Sequence, residues 1–319
     1  MKRLLLILTL APVQAGAFDL AWPVDCTNGE TCFVQNYFDH DASPDDMDFT
    51  CGPLTYDGHD GTDISVNSLA AMRDGFAVRA AADGMVRGIR DGMQDIRVND
   101  PAAPYLDGRD CGNGVAIDHG DGWETQYCHM KQGSIRVQEG QMVKVGDQLG
   151  LVGLSGKTVF PHLHLTLRKD GLAQDPFDPL NTQSSCHTDP PQSLWASPVP
   201  YVAGGIINVG FATEVPPYEL VKAGLPPPSI APDAPTLVMW VYTFGGRAGD
   251  AIVFDITGPD GHLMAKRIVL KRTQAQQYRI IKKARSDVRW PPGTYSGTAT
   301  LVRNGLTIDT FTQTTAIID

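Results

Sequence analysis

Apolar and polar residues alternate in short runs, punctuated by glycine, over two stretches of the chain. In the first, from Asp57 to about Pro179, the runs fall at 76–80, 85–89, 114–118, 125–127 and 163–167. A period of two sends successive side chains to opposite faces, so each run reads as a half-buried strand. In the second stretch the runs fall at 237–242, 251–256, 278–281, 294–301 and 306–310, the last two joined by the hairpin signal Asn304-Gly305. The first stretch predicts a mostly antiparallel β domain, and the second an immunoglobulin-like β-sandwich. Residues 182–200, rich in Ser, Pro and Thr, read as the break between them. Residues 18–50 show little alternation and a polar, acidic stretch at 39–48, which predicts an extended lead-in with little regular structure. Residues 99–110, with Pro101 and Pro104, read as a surface insertion between strands. The expected organisation is a leader at 1–17, a lead-in at 18–55, a first β domain at 56–180, a linker at 181–200 and a sandwich at 201–319.

The N-terminus changes the picture of where the chain works. Lys2 and Arg3 precede an apolar stretch from Leu4 to Leu10, and Ala15-Gly16-Ala17 offers a small-residue cleavage site. That is the pattern of a secretory signal, and the chain is expected to be exported, to a periplasm or the exterior. The apolar run is too short to span a bilayer, and no later segment reaches spanning length. Loss of Lys2 and Arg3 removes two positive charges and moves the net charge from −10 to −12. An acidic chain repels nucleic-acid phosphates, so a nucleic-acid role is excluded from the expectation.

Six cysteines in an exported chain suggest disulfides. Counting back from a turn at Gly120-Asp121-Gly122 places Cys111 and Cys128 nearly opposite, within reach of a cross-strand bridge. Cys26, Cys32, Cys51 and Cys186 remain with three possible pairings, of which the Asn28-Gly29 turn favours Cys26–Cys32. A cysteine-rich zinc site is disfavoured, since no CxxC spacing occurs.

Five of the eight histidines fall between residues 59 and 164, inside the first β domain. His59 and Asp63 stand four residues apart across a glycine turn, and His129 ends a strand. His162 and His164 share one face of a strand by the period of two. A catalytic zinc takes three ligands from His, Asp and Glu and keeps a position for water, while peptide hydrolysis also needs a general base and an oxyanion donor. One carboxylate and four imidazoles supply that whole set.

The motifs also carry a family resemblance. His59-Asp60-Gly61-Thr62-Asp63 resembles the HxGxD motif of the lysostaphin-like (LytM-type, M23 family) zinc metallopeptidases. Residues 114–129 are similar to the central hairpin of that family, residues 140–150 to the segment before its last motif, and Pro161-His162-Leu163-His164 to its closing HxH. Asp175-Pro176 matches the short tail that follows, so the resemblance runs from about Tyr56 to Pro179. It implies one zinc ion per chain, held by His59, Asp63 and His164, with His129 and His162 as the catalytic pair. His119 matches a hairpin position expected to be structural, and His40, His187 and His262 read as solvated. Phe160, Met130 and Leu165 depart from the family pattern, and Phe160 is expected to reshape the rim of the substrate site.

The implied function is a secreted zinc metalloendopeptidase that hydrolyses peptide bonds in peptidoglycan stems or cross-links. The alternative keeps the fold without the chemistry, as a cell-envelope binder or amidase activator. Such members are expected to lack ligands, and all five motif residues are present here. A glycosidase built on Asp118 and Glu124 has no positional support, and both acids read as solvated hairpin residues.

Overall fold

The computed structural model describes residues 18–180, 193–224, 230–286 and 288–318. The leader at 1–17, most of the linker, Cys186 and His187 lie outside the described residues. Among the described residues no helix is long and apolar enough to cross a membrane.

The first unit is an antiparallel β domain. Its elements are β1 (Cys32–Asn36), β2 (Thr62–Val66), a short helix α1 (Leu69–Asp74), β3 (Ala77–Arg79), β4 (Gly84–Arg90), β5 (Asn113–Gly120) and β6 (Trp123–Met130). β7 (Met142–Val143), β8 (Gln148–Leu151), β9 (His162–Lys169) and β10 (Leu172–Gln174) complete it. The main sheet runs β1-β2-β9-β6-β5-β4-β7 with β10 on β9, and β3 pairs with β8. The long central strands follow the alternation of the sequence. On β9, Leu163, Leu165 and Leu167 are buried in the core, which leaves His162, His164, Thr166 and Arg168 on the opposite face. Burying each leucine is worth roughly 1.5–3 kcal/mol, which pins the register of the strand that carries the histidines.

The lead-in is not structureless. β1 pairs antiparallel with β2 at the edge of the main sheet, and Leu20, Val24, Val34, Tyr37, Phe49 and Leu54 are buried in the same core as β9. Its acidic residues serve the backbone. Asp48 is fully buried and accepts from the Thr50 and Gly52 N–H groups at 2.9 and 2.8 Å and from the Tyr201 hydroxyl at 2.7 Å. Asp39 accepts from the N–H groups of Asp41, Met47 and Gly58. Carboxylates that replace ladder partners build an ordered loop without alternation, which is why the pattern was silent here.

The first core also reaches past the expected domain end. Leu20 N–H donates to Leu194 O and Ala196 N–H to Leu20 O, and Trp195 is buried beside Phe177. The last residues of the expected linker therefore pack on the first unit. Disulfides join Cys26 to Cys32 and Cys111 to Cys128, and Cys51 is disulfide-bonded as well.

The second unit comprises β11 (Gly205–Ala212), a short helix α2 (Tyr218–Ala223), β12 (Thr236–Gly246), β13 (Ala251–Gly258) and β14 (Gly261–Val269). β15 (Gln274–Ala284), β16 (Gly293–Arg303) and β17 (Leu306–Ile317) follow. Sheets β11-β12-β15 and β14-β13-β16-β17 face each other across a core that includes Phe211, Met239, Phe254, Trp290 and Tyr295. This is an immunoglobulin-like sandwich in which the fourth strand, β14, pairs with the third rather than the fifth. The two units meet at β1. Phe33 stacks on Phe244 with ring centroids 4.1 Å apart, in a buried cluster with Ile207, Val238, Trp240 and Tyr242. Gln35 donates to Ala275 O at 3.1 Å and accepts from Gln276 at 2.8 Å. The sandwich thus covers the edge strand of the main sheet, which would otherwise expose unpaired backbone groups.

Candidate metal centre and active site

Register builds the site. Asn36 on β1 stands opposite Asp63 on β2, Asp63 opposite His164 on β9, and His164 opposite Cys128 on β6. One row of side chains therefore crosses four strands spaced about 4.8 Å apart. A bulge between Val34 and Asn36 sets the first step of the row. Val34 faces Ile64 and the core, and the extra residue Gln35 brings Asn36, not Gln35, opposite Asp63. His59 joins the row from the loop before β2. Gly61, in the same loop, makes room for the His164 ring, because a Cβ there would lie 2.8 Å from it.

His59, Asp63 and His164 each offer a ligand atom, and these atoms all lie within 4.8 Å of one another. His164 Nδ1 is 2.8 Å from Asp63 Oδ1, and His59 Nε2 is 3.2 Å from that oxygen and 3.3 Å from His164 Nδ1. Ligands about 2.0–2.2 Å from a tetrahedral zinc stand roughly 3.3 Å apart, so two imidazoles and one carboxylate at these separations fit the ion and leave a coordination position open.

Neighbouring groups orient each donor. His59 Nδ1 lies 2.6 Å from the Tyr37 carbonyl, so Nδ1 carries the proton and Nε2 presents its lone pair. Asn36 Nδ2 donates to Asp63 Oδ2 at 2.7 Å, which commits Oδ1 to the other ligands. His164 Nε2 sits 2.9 Å from Thr166 Oγ1, turning Nδ1 toward Asp63. Two consecutive residues, Asn36 at the end of β1 and Tyr37 just after it, thus hold two of the three donors, and the sequence reading missed both. The run Cys32-Phe33-Val34 was the available signal, but a three-residue apolar run before a polar loop is too short to declare a strand.

Two further imidazoles face the same cleft. His129 follows Cys128 with a left-handed φ of 60°, a conformation costing on the order of 1 kcal/mol that turns its ring out of the strand plane. Its N–H donates to Cys111 O, and its Nδ1 is 2.8 Å from Ser155 O. His162 Nδ1 is 2.9 Å from Phe160 O, and its Nε2 is 3.3 Å from Asp63 Oδ1. The His129 and His162 ring centroids are 4.7 Å apart.

Electrostatics separates these groups. Burial pushes His129 down to about 3, helped by the charges of His162 and His164, so its imidazole is neutral at ordinary pH. For His164 burial also opposes charge, but hydrogen bonds and attraction from Asp60 and Asp63 outweigh it and push the group up to about 9. Asp63 is likewise buried at a cost, and His59, His162 and His164 hold its carboxyl well below the usual range.

The cleft has a volume of about 760 Å³, with His129, His162, His164, Tyr56, Phe160 and Arg168 on its walls. Phe160 stacks on the His162 ring at 4.3 Å, and the loop that holds the 99–110 insertion contributes Val98 and Asp110 to the wall. His119 sits in the β5–β6 hairpin between Asp83 O and Thr125 Oγ1 at 2.8 and 2.7 Å, away from the donors. Glu124 pairs with Arg87 and Arg168, and His262 lies exposed by Asp255. His40 corrects the expectation that it is solvated. It is 1% exposed, and its Nε2 lies 2.8 Å from Asp175 Oδ2, tying the lead-in to the Asp175-Pro176 tail. An isolated histidine gives no sign of a partner 135 residues away.

A known protein family matches this region. The description "Peptidase family M23" matches residues 57–176. Over 118 residues the chain is 30% identical to the cell division protein DipM of Caulobacter vibrioides, covering 37% of this chain and 18% of that protein. Over 109 residues it is 36% identical to the peptidoglycan DD-endopeptidase ShyA of Vibrio cholerae, covering 34% of this chain and 20% of that protein. The solved catalytic domain of the antimicrobial peptidase lysostaphin from Staphylococcus simulans aligns with a TM-score of 0.28 and 22% identity, over 44% of this chain and 85% of that one. The chain spans about a fifth of the length of the curated relatives it matches. The matched span contains His59, Asp63, His129, His162 and His164, and residues 57–176 are a domain of peptidase family M23.

Proposed function

We propose that the chain is an exported zinc metalloendopeptidase that hydrolyses peptide bonds in peptidoglycan stems or cross-links. The observation that carries this reading is the convergence of three zinc-type donors, of which Asp63 and His164 line the cleft together with the His129 and His162 imidazoles. His59, Asp63 and His164 would hold the ion. When bound, zinc supplies Lewis acidity, which activates water and polarises a carbonyl. His129 is neutral, with Nδ1 committed to Ser155 O, so its Nε2 lone pair can take a proton from the attacking water. His162, its Nδ1 committed to Phe160 O, presents Nε2 toward Asp63 Oδ1 and the cleft, where in its protonated form it can donate to the developing oxyanion. The disulfides support an oxidising destination, and the leader at 1–17 supports export.

Digestion of purified sacculi by the leaderless chain, with and without a chelator, tests the proposal, the released peptides being identified by mass spectrometry. Chelator-sensitive release of new amino termini is expected. Zinc binding without release from any wall preparation would replace this reading with the non-catalytic one.

A further inference from the structure

The sandwich carries a charge distribution unlike that of the rest of the chain. Residues 261–286 hold eight of the 26 basic residues and none of the 36 acidic ones, in a chain of net charge −10. These residues form β14, its connection and β15, each an edge strand of its own sheet. Lys266, Arg267, Lys271, Arg272, Lys282 and Lys283 are all exposed. Of the acids at this edge, Asp255 stands opposite Ala265 in mid-strand and pairs with His262, and Asp250, bonded through its backbone to Leu270, is buried with its carboxylate committed to Arg303.

At the end of β14 the connection forms a concavity of about 370 Å³, lined by Ile268, Val269, Lys271, Arg272, Gln274 and Arg279. Three cations converge there with no carboxylate on the wall. Arg279 donates one Nη1 hydrogen to the Tyr278 carbonyl, 2.8 Å away, which steadies the guanidinium and leaves its other donors for a ligand. Like charges are not gathered in one hollow for the sake of stability, because they repel one another.

The position relates the hollow to the active site. Gln274 is two residues along β15 from Gln276, a step of roughly 7 Å. Gln276 lines the groove between the two units together with Val159 and Phe160 of the cleft rim. It also bonds Gln35, the bulge residue next to Asn36.

We propose that the hollow formed by Lys271, Arg272 and Arg279 binds carboxylates of the peptidoglycan peptides and anchors the chain on the wall beside its cleft. The identity of the occupant rests on the function proposed above, while binding itself needs no cleavage. Wall peptides carry carboxylates, and arginine forks match a carboxylate with two parallel donors. The remainder of the chain is acidic and is repelled by such a polymer. A local basic hollow reverses that repulsion at one point and so also sets orientation.

Co-sedimentation of the full leaderless chain with sacculi tests the proposal across increasing salt. The unmodified chain should bind, and binding should weaken as salt screens the charges. Combined Lys271→Glu, Arg272→Glu and Arg279→Glu substitutions should lower binding at least about tenfold, since three attractive charges are replaced by repulsive ones. Cleavage of a short soluble wall peptide should be unchanged in that variant, which separates the anchor from the chemistry. A second arm leaves the protein untouched: sacculi whose carboxyls are amidated with a neutral amine should lose the unmodified chain. Equal binding to native and amidated sacculi would overturn the proposal, as would full binding by the charge-reversed variant. Sedimentation with anionic phospholipid vesicles but not with sacculi would assign the hollow to a membrane and refute it. Salt-sensitive, carboxyl-dependent binding by a chain that cleaves nothing would uphold the anchor and defeat the proposed function.

Discussion

Replacing Asn36 by Ala removes a group that touches no substrate in the proposed mechanism, yet it should weaken the metal centre. The Asn36 amide donates to Asp63 Oδ2 at 2.7 Å, and Asn36 and Asp63 are only 7% and 3% exposed. A hydrogen bond to a buried charged group contributes about 1.5–3 kcal/mol, and its loss leaves Oδ2 desolvated and unpaired. The carboxylate is then no longer committed to presenting Oδ1. Loss of such an outer partner costs a metal site about 10–100-fold in affinity, in line with about 1.4–2.8 kcal/mol. Asn36→Asp should cost more, since it sets a second buried carboxylate against the first. Competition with a chelator of known affinity, read by elemental analysis, measures the effect. Gln35→Ala is the control: it strips contacts with the sandwich from the same strand and should leave zinc affinity within about twofold. A folded Asn36→Ala chain that held zinc as tightly as the unmodified one would refute the claim that β1 is part of the metal centre.

Other substitutions separate the roles of the site residues. His164→Ala should lose bound zinc, whereas His129→Ala should keep it and lose roughly 10²–10⁴-fold in turnover of wall peptides; equal zinc loss in both would overturn the assignment. Gly61→Ala forces a Cβ to within 2.6 Å of Leu165 O and 2.8 Å of the His164 ring, so zinc content and thermal stability should fall together, as elemental analysis and a melting curve would show. Because Asp60 and Asp63 raise His164 to about 9, a proton competes with the ion for Nδ1 below that pH. Apparent zinc affinity should therefore rise with pH, by up to about tenfold per unit from this group alone, and level off near pH 9. A pH-independent affinity between 6 and 8 would contradict it. Phe33→Ala should destabilise the chain by about 3–5 kcal/mol in chemical denaturation, since it empties the stack on Phe244 between the two units.

The ligand set illustrates what local pattern can carry. His59 and Asp63 flank one turn, and His162 and His164 sit on one strand, so their spacing reports a shared face before any fold is known. The strands of both units were legible for the same reason, since a period of two records which face meets the core. On β9 the three leucines alternate with His162, His164 and Thr166 without interruption.

What alternation cannot report is which strand lies beside which. The order β1-β2-β9-β6 joins residues up to about a hundred positions apart, and it is decided by the summed packing of a common core. Nor could the pattern show that a one-residue bulge at Gln35 turns Asn36 to Asp63, or that His40 finds Asp175. Those contacts depend on register and burial, which are properties of the whole sheet and not of any window along the chain. The sequence by itself determined the two β units and the chemistry of the donors, because periodicity and residue type are local. Only the tertiary structure decided that the lead-in supports the metal centre, that the sandwich seals its edge strand, and that a basic hollow opens beside the seam, because each requires segments distant in the chain to meet.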